Sequence, residues 1–245
     1  LAWEYAEVYQ QPIIVTINKM DHENATFEQA LASLRQSFPN YKFVPVMLPI
    51  GSQADFKGVV NLLTMKAYFG AGKDRADLPE EMLGAVEAAR TVLVEAAAEA
   101  DDELIEKYFS EGTLSNEEIR DGMRKAARDS NLKTVPVFVT SGTKNIGTVP
   151  LMEALIVYVS PPSQRRVQVI KPDGEREFML PPQDDSGPLA AYVFKTTTDR
   201  FVGTLNYFRI FSGSVHSDQR YFNTTRGVEE RFNSLMIMRG KEQLP

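Results

Sequence analysis

Two short apolar runs, each leading directly into a polar loop, constrain the fold of this chain more than any other feature. Residues 13–17 read Ile-Ile-Val-Thr-Ile and precede Asn-Lys-Met-Asp at 18–21, and residues 135–140 precede the loop 141–147. Short runs rich in β-branched residues are typical of strands buried on both faces of a parallel sheet. We therefore expect an α/β fold with both loops at the carboxyl ends of its strands, where such sheets carry their functional loops.

The segment after the first loop continues the pattern of a βαβ unit. Apolar residues at helical spacing predict a helix over residues 26–38, and an apolar run predicts the next strand over residues 43–48. Residues 59–69 have the pattern of a strand or hairpin.

Helices are predicted for the acidic middle of the chain. From Pro79 to about residue 109, apolar residues recur every three or four positions, which predicts one long helix. Ser115 and Glu118 have the spacing of a capping box, which predicts that a second helix begins there and continues to about Arg128.

The last third of the chain has a different pattern. Residues 163–186 are rich in proline and charge, which predicts a linker with at most a short hairpin. Short alternating strands separated by turn signals then indicate a β-barrel or sandwich, and they are predicted at residues 189–195, 203–211, 217–221 and 231–238.

Composition excludes several classes of protein. The chain has no cysteine, which excludes disulfide scaffolds and thiolate metal sites and fits a reducing compartment such as the cytoplasm. No apolar stretch approaches the roughly 18 residues of a membrane span, so we expect no membrane association. Because the chain begins at Leu1 rather than at methionine, we expect it to be an internal fragment of a longer protein.

Charge is distributed unevenly along the chain. The net formal charge of −6 argues against non-specific nucleic-acid binding by the whole chain. Residues 58–134 alone carry 10 basic and 16 acidic residues, whereas residues 187–245 carry 8 basic and 5 acidic residues. An RNA contact therefore fits the last segment, while the acidic middle suits a protein partner or solvent.

Asp21 is the strongest candidate for a chemical role. Guanine presents two adjacent N–H donors on its Watson-Crick edge, and an ionised carboxylate accepts both with oxygens at matching spacing. Asn18 can offer its amide to the other edge of the base or to a neighbouring loop, and the Lys19 stem can cover the ring plane. The alternative is that Asp21 only caps the following helix.

The second loop supports the nucleotide interpretation. Ser141 and Gly142 follow a buried strand and can present a backbone N–H to the guanine carbonyl, with glycine permitting close approach. Because Ser-Gly is also common in ordinary turns, the nucleotide interpretation requires that this loop lie beside Asp21 at one edge of a parallel sheet.

These motifs together resemble those of the translational GTPases, most closely elongation factor G. The resemblance identifies Asn18, Lys19 and Asp21 with the family's fourth guanine-nucleotide motif, and Ser141, Gly142 and Thr143 with its fifth. Further similar segments are residues 48–51, 56–60, 104–108, 201–203 and 208–213. Gly142 departs from the family's usual alanine, and the segment after Phe69 is short, both of which suit a divergent paralogue.

The resemblance implies a division into domains. It implies the carboxyl-terminal half of a P-loop-type GTPase domain at residues 1–50 and 135–162, interrupted by an inserted α+β subdomain at residues 51–134. The linker 163–186 would precede the first part of an antiparallel β-barrel, the second domain, at residues 187–245.

The resemblance also implies activity and partners. The intact protein would bind GTP and GDP and hydrolyse GTP on the ribosome to drive translocation. The acidic insertion would meet the ribosomal stalk protein, and the barrel would meet small-subunit ribosomal RNA. A ribosomal-protection or release-type factor is the alternative within the family, and a non-catalytic binding module that kept the fold is the alternative outside it.

The sequence contains no phosphate-binding loop of the form Gly-x-x-x-x-Gly-Lys-Ser/Thr. The segments that hold Mg²⁺ and position water should precede Asn18, so we expect the Mg²⁺ ligands to lie outside this chain. Without a phosphate cradle and metal there is little to stabilise phosphoryl transfer, and we expect no catalytic residue here and no GTP hydrolysis.

Overall fold

A computed structural model describes residues 1–72, 74–159, 161, 166–179, 187–199, 203–240 and 242–244. The chain divides into two compact units, residues 1–159 and residues 160–245. No helix among these residues is long and apolar enough to cross a bilayer.

The first unit contains six helices and seven strands within the described residues. The helices are α1 (Ala2–Val8), α2 (Phe27–Ser37), α3 (Leu83–Ala98), α4 (Asp102–Glu111), α5 (Asn116–Arg128) and α6 (Thr148–Tyr158). The strands are β1 (Val15–Ile17), β2 (Lys42–Pro45), β3 (Met47–Ile50), β4 (Gly58–Asn61), β5 (Lys66–Phe69), β6 (Arg75–Ala76) and β7 (Thr134–Val139).

A parallel sheet of order β1-β7-β2 forms the centre of this unit. Every residue of β7 is buried, as its apolar sequence predicts. The expectation that residues 13–17 form a strand buried on both faces is wrong, because β1 has only three residues and is partly exposed. The reason is its position at the edge of the sheet, where it pairs with β7 but with no other described strand.

The predicted strand over residues 43–48 is divided between two sheets. β2 pairs with β7, whereas β3 belongs to an antiparallel sheet of order β3-β4-β5-β6. The buried Val46 joins them, since its N–H donates to Val137 (2.9 Å) and its carbonyl accepts from Leu62 N–H (3.0 Å). The hairpin predicted at residues 59–69 is confirmed as β4 and β5.

The prediction of one continuous helix from residue 79 is wrong. A 3-10 turn (Glu80–Met82) precedes α3, and α3 and α4 are separate helices. Asp101 interrupts them, because it has extended backbone angles and its carboxylate accepts a hydrogen bond from Glu103 N–H at 3.0 Å. Asparagine and aspartate stabilise helix starts in this way, so apolar periodicity alone cannot exclude a break.

The helices pack closely against one another and against the antiparallel sheet. A Cβ atom at Gly122 in α5 would lie 2.4 Å from the Ala97 carbonyl of α3, so glycine permits this close approach. Arg90 of α3 donates to the carbonyls of Leu62 and Leu63 and to Asn116 Oδ1. The capping box of α5 is confirmed, with both of its hydrogen bonds present.

The second unit is rich in β-structure. Its strands are β8 (Val167–Ile170), β9 (Arg176–Met179), β10 (Ala190–Asp199), β11 (Gly203–Ser212), β12 (Gln219–Asn223), β13 (Val228–Phe232), β14 (Ile237–Arg239) and β15 (Glu242–Leu244).

Each strand of this unit pairs with its sequence neighbour to form four antiparallel pairs within the described residues. The prediction of one strand at residues 231–238 is wrong, because these residues include the end of β13 and the start of β14, which are separate strands. Phe201 and Val202, used in the resemblance, lie outside the described residues, as do residues 162–165 and 180–186 around the predicted linker. A closed barrel remains a prediction.

Candidate functional site

The loops after β1 and β7 meet at the carboxyl edge of the parallel sheet. Thr140 N–H donates to the Ile17 carbonyl (2.9 Å), and Met20 N–H donates to the Thr140 carbonyl (3.3 Å). These bonds extend the β1–β7 ladder past the last paired residues, Ile17 and Val139. The structure therefore brings together the two loops that the sequence analysis singled out.

Asn18 ties the two loops together through its side chain. Its Oδ1 accepts a hydrogen bond from Gly142 N–H at 2.9 Å and another from the Thr140 hydroxyl at 3.2 Å. Two donors at one atom identify that atom as the amide oxygen. The sequence predicted that Ser141 or Gly142 presents a backbone N–H to a guanine carbonyl, and both of these N–H groups are already paired inside the protein, Gly142 with Asn18 and Ser141 with the Ile146 carbonyl.

Lys19 lies in the left-handed region, with φ of +62°. This conformation is strained for a residue with a side chain, and it persists where surrounding contacts hold the backbone in place. The hydrogen bonds of Asn18 and Met20 provide those contacts on either side. The Lys19 side chain is exposed beside the edge of the sheet.

Asp21 places a carboxylate beside the second loop. Its Oδ2 accepts from the Thr143 hydroxyl at 3.5 Å. The nearby Ser141 hydroxyl is the largest cause of a lowered pKa of this carboxyl, partly opposed by desolvation, and the charges of His22 and Lys144 lower it further. Oδ1 is buried without a hydrogen-bond partner among the described residues.

Asp21 does not cap the following helix. Helix α2 begins at Phe27 and Thr26 occupies its N-cap position, five residues beyond Asp21. The alternative interpretation of Asp21 as a helix cap is therefore wrong.

The loop after β7 is closed by its own backbone. Ser141 and Ile146 exchange two hydrogen bonds of 3.0 Å, and the Ser141 hydroxyl accepts from Lys144 N–H at 3.2 Å. Ser141 is buried, whereas Gly142 and Thr143 are exposed at the tip of the loop. A Cβ at Gly142 would lie 3.7 Å from the Asn18 amide, which is ordinary contact.

Two residues of this arrangement were missed by sequence reasoning. The Thr140 hydroxyl fixes Asn18, and a threonine at the last position of the second apolar run is the signal that could have indicated it. Gln53 donates its backbone N–H to the Met20 carbonyl at 2.9 Å. A backbone contact of this kind has no side-chain signature in the sequence.

Among residues 1–72, 74–159 and the described parts beyond them, no group of three or more histidine, aspartate or glutamate side chains is placed to hold a metal ion.

Comparisons with known proteins match both units. Residues 2–161 match the family model for the elongation factor Tu GTP-binding domain, and residues 188–245 match that for elongation factor G domain 2. A crystal structure of a protein from Thermus thermophilus is similar, with a TM-score of 0.76 and 26% identity over 99% of this chain. The chain spans about a third of that protein, 33% of its length.

Proposed function

The chain belongs to the translational GTPases of the elongation factor G type, and we propose that Asp21 is the residue that recognises guanine in its GTP-binding domain. The observation that carries this proposal is the position of the Asp21 carboxylate where the two loops meet, with a lowered pKa and a buried Oδ1 that has no hydrogen-bond partner among the described residues. An ionised carboxylate accepts hydrogen bonds and donates none.

The chemistry of the base explains the selectivity. The two oxygens of Asp21 accept from the ring N–H and the exocyclic amine of guanine. Adenine offers an acceptor at the corresponding ring nitrogen, so the carboxylate repels it. Sites that pair polar groups in this way discriminate by roughly 10⁴ to 10⁵.

The remaining loop residues complete the proposed base site. Because Asn18 Oδ1 is used within the protein, its Nδ2 donor remains for the other edge of the base. The aliphatic stem of Lys19 covers one face of the ring. Ser141, Gly142 and Thr143 border the base, and Gly142 N–H reaches the guanine carbonyl as a donor shared with Asn18.

The family implies GTP and GDP as ligands. We propose that this chain supplies the base-binding part of the site, and that residues outside it hold the phosphates and Mg²⁺. The proposed division into domains keeps residues 1–50 and 135–162 with the base site, 51–134 as the insertion, 163–186 as a linker and 187–245 as the barrel.

The intact protein would hydrolyse GTP on the ribosome in the cytoplasm to drive translocation. Interaction with the ribosome is implied by the family. The specific partners are proposed from charge: stalk protein at the acidic segment 58–134, and ribosomal RNA at the basic segment 187–245.

A change of base specificity tests the assignment of Asp21. In Asp21→Asn, the amide oxygen still accepts the ring N–H, but its NH₂ group opposes the exocyclic amine of guanine. Xanthine carries a carbonyl in place of that amine, so the variant should prefer xanthosine diphosphate (XDP). Each nucleotide is titrated into the 245-residue chain while its amide chemical shifts are recorded, a measurement that detects dissociation constants in the millimolar range.

We expect wild type to prefer GDP over ADP and over XDP, and Asp21→Asn to reverse the preference between GDP and XDP. Glu23→Gln is the matched control, because it neutralises an exposed carboxylate two residues away. Unchanged GDP preference in Asp21→Asn, or no guanine preference in wild type, would contradict the proposal.

A further inference from the structure

A tight turn in the antiparallel sheet contacts the loop that carries Asp21. Residues 51–57 connect β3 and β4, and the Gln53 backbone N–H donates to the Met20 carbonyl at 2.9 Å. Neither residue was assigned a role in base recognition by the sequence analysis. The contact links the segment proposed as an insertion to the proposed base site.

The turn has little freedom to move. Gly51 has φ of +76°, and a Cβ atom there would lie only 2.0 Å from the Asp55 carbonyl oxygen. Asp55 N–H donates to Ser52 (3.0 Å) and Phe56 N–H donates to Gln53 (3.1 Å). Phe56 anchors the end of the turn in the core with 2% of its surface exposed.

Met20 is held from both directions. Its N–H donates to Thr140 at 3.3 Å, its carbonyl accepts from Gln53, and its side chain is 1% exposed. A peptide group is planar, so the Met20 carbonyl and the Asp21 nitrogen turn together. The hydrogen bond from Gln53 N–H therefore orients the peptide plane between Met20 and Asp21.

We propose that the Gly51 turn is a positioning element for guanine recognition, with Gly51 as its positioning residue. The turn holds the Met20 peptide, and this sets the direction of the Asp21 carboxylate and maintains the strained Lys19 backbone. The inference rests on the proposed role of Asp21. It adds that the antiparallel sheet contributes directly to the geometry of the base site.

Gly51→Ala tests this with a control matched for backbone strain. Gly112, at the end of α4, has φ of +72°, and a Cβ atom there would have no atom of the described residues within 4 Å. Gly112→Ala therefore forces alanine into a left-handed backbone conformation without a steric clash. Gly51→Ala causes the same backbone strain and a steric clash as well. Displacements of about 1 Å at binding groups can reduce function by as much as about 100-fold.

Two measurements keep the inference separate from the proposed function. Amide hydrogen exchange at Met20 and Gln53 reports the positioning and requires no nucleotide. We expect at least about tenfold faster exchange at both amides in Gly51→Ala, without a comparable change in Gly112→Ala or at the β7 amides. Unchanged exchange at Met20 would overturn the inference even if wild type binds GDP.

Nucleotide selectivity is the second measurement. Gly51→Ala should weaken GDP binding by about tenfold or more and reduce the preference for GDP over ADP, whereas Gly112→Ala should do neither. Undiminished GDP selectivity in Gly51→Ala would overturn the role of the turn. Absence of guanine preference in wild type would overturn the proposed function and, with it, this role in recognition.

A second pair of variants serves if Gly51→Ala does not fold. Gln53 has φ of +55°, a conformation that glycine adopts freely and a β-branched residue resists. Gln53→Val should therefore reproduce the faster exchange at Met20. Gln53→Gly keeps the N–H donor and should match wild type, and equal behaviour of the two variants would contradict the proposal.

Discussion

The side-chain oxygen of Asn18 accepts a hydrogen bond from the backbone N–H of Gly142 at 2.9 Å, although the two residues are 124 positions apart. This bond joins the loops after β1 and β7, and the Thr140 hydroxyl donates to the same oxygen. The base site proposed at Asp21 therefore depends on a contact between two sequence motifs.

Asn18→Ala should destabilise the first unit and weaken GDP binding. The substitution removes the oxygen that accepts hydrogen bonds from Gly142 N–H and the Thr140 hydroxyl. This loss should lower the free energy of unfolding by about 1 kcal/mol. Urea unfolding followed by fluorescence of Trp3, the sole tryptophan, which stacks on Phe38, measures the change. Asn131→Ala is the control, because Asn131 is exposed and its side chain makes no hydrogen bond among the described residues. Equal stability of the two variants would contradict this prediction.

Gly142→Ala should be neutral or stabilising. The backbone of Gly142 is outside the left-handed region and the new Cβ finds only ordinary contacts. Such substitutions stabilise by about 0.4–1 kcal/mol because they restrict the unfolded chain. Urea unfolding and GDP titration of the variant measure both effects. A loss of stability would show that this loop needs glycine.

Gly147→Ala provides the contrasting result in the same loop. Its φ is +75°, and a Cβ would lie 2.5 Å from the Val139 carbonyl oxygen. We expect a loss of more than about 1 kcal/mol of unfolding free energy, measured under the same conditions as Gly142→Ala. Similar stabilities of the two variants would contradict the assigned backbone geometry.

Glu118 should make stability depend on pH in the acid range. Lys107 and the Ser115 cap lower the pKa of the Glu118 carboxyl from 4.5 to about 2. A lowered folded-state pKa means that the contribution is complete above the unfolded pKa near 4.5 and is lost as pH falls toward 2. Urea unfolding of wild type and Glu118→Gln between about pH 7 and pH 2 should show a stability difference that disappears in this window. Glu106→Gln is the control, because Glu106 makes no hydrogen bond or ion pair among the described residues, and a similar pH-dependent difference there would contradict the assignment.

Hydrolysis of GTP by this 245-residue chain should remain at background with Mg²⁺ present. The physical reason is that its sequence lacks the loop that cradles phosphates, and phosphoryl transfer depends on positioning and charge stabilisation. Release of inorganic phosphate measures the rate, and Asp21→Asn serves as the control for contaminating enzymes. A rate well above background that Asp21→Asn abolishes would contradict the prediction.

Several local elements could be predicted because their causes are local. The capping box at Ser115 and Glu118 requires only two side chains at fixed spacing, and it is present in α5. The apolar run at residues 135–139 likewise indicated a buried strand, and it forms most of β7. The parallel pairing of β1 with β7 places Asp21 and Ser141 at one edge of the sheet, although β1 is partly exposed rather than buried as predicted.

Other elements depended on contacts that local patterns do not record. The apolar stripe continues across the break between α3 and α4, so periodicity did not reveal where Asp101 begins a new helix. The residues around Val46 have one continuous strand pattern, but their backbone groups pair with two different sheets.

The amino-acid sequence by itself determined which residues are candidates for base recognition and which strands bring their loops together, because side-chain type and apolar spacing are local properties. Only the tertiary structure decided that Asn18 holds Gly142, that Asp21 Oδ1 has no hydrogen-bond partner in the described part of the chain, and that Gln53 holds Met20. The hydrogen bonds from Gly142 and Gln53 are long-range, and their donors are backbone N–H groups, which every residue except proline carries. Their partners are therefore selected by the packed fold rather than by residue type.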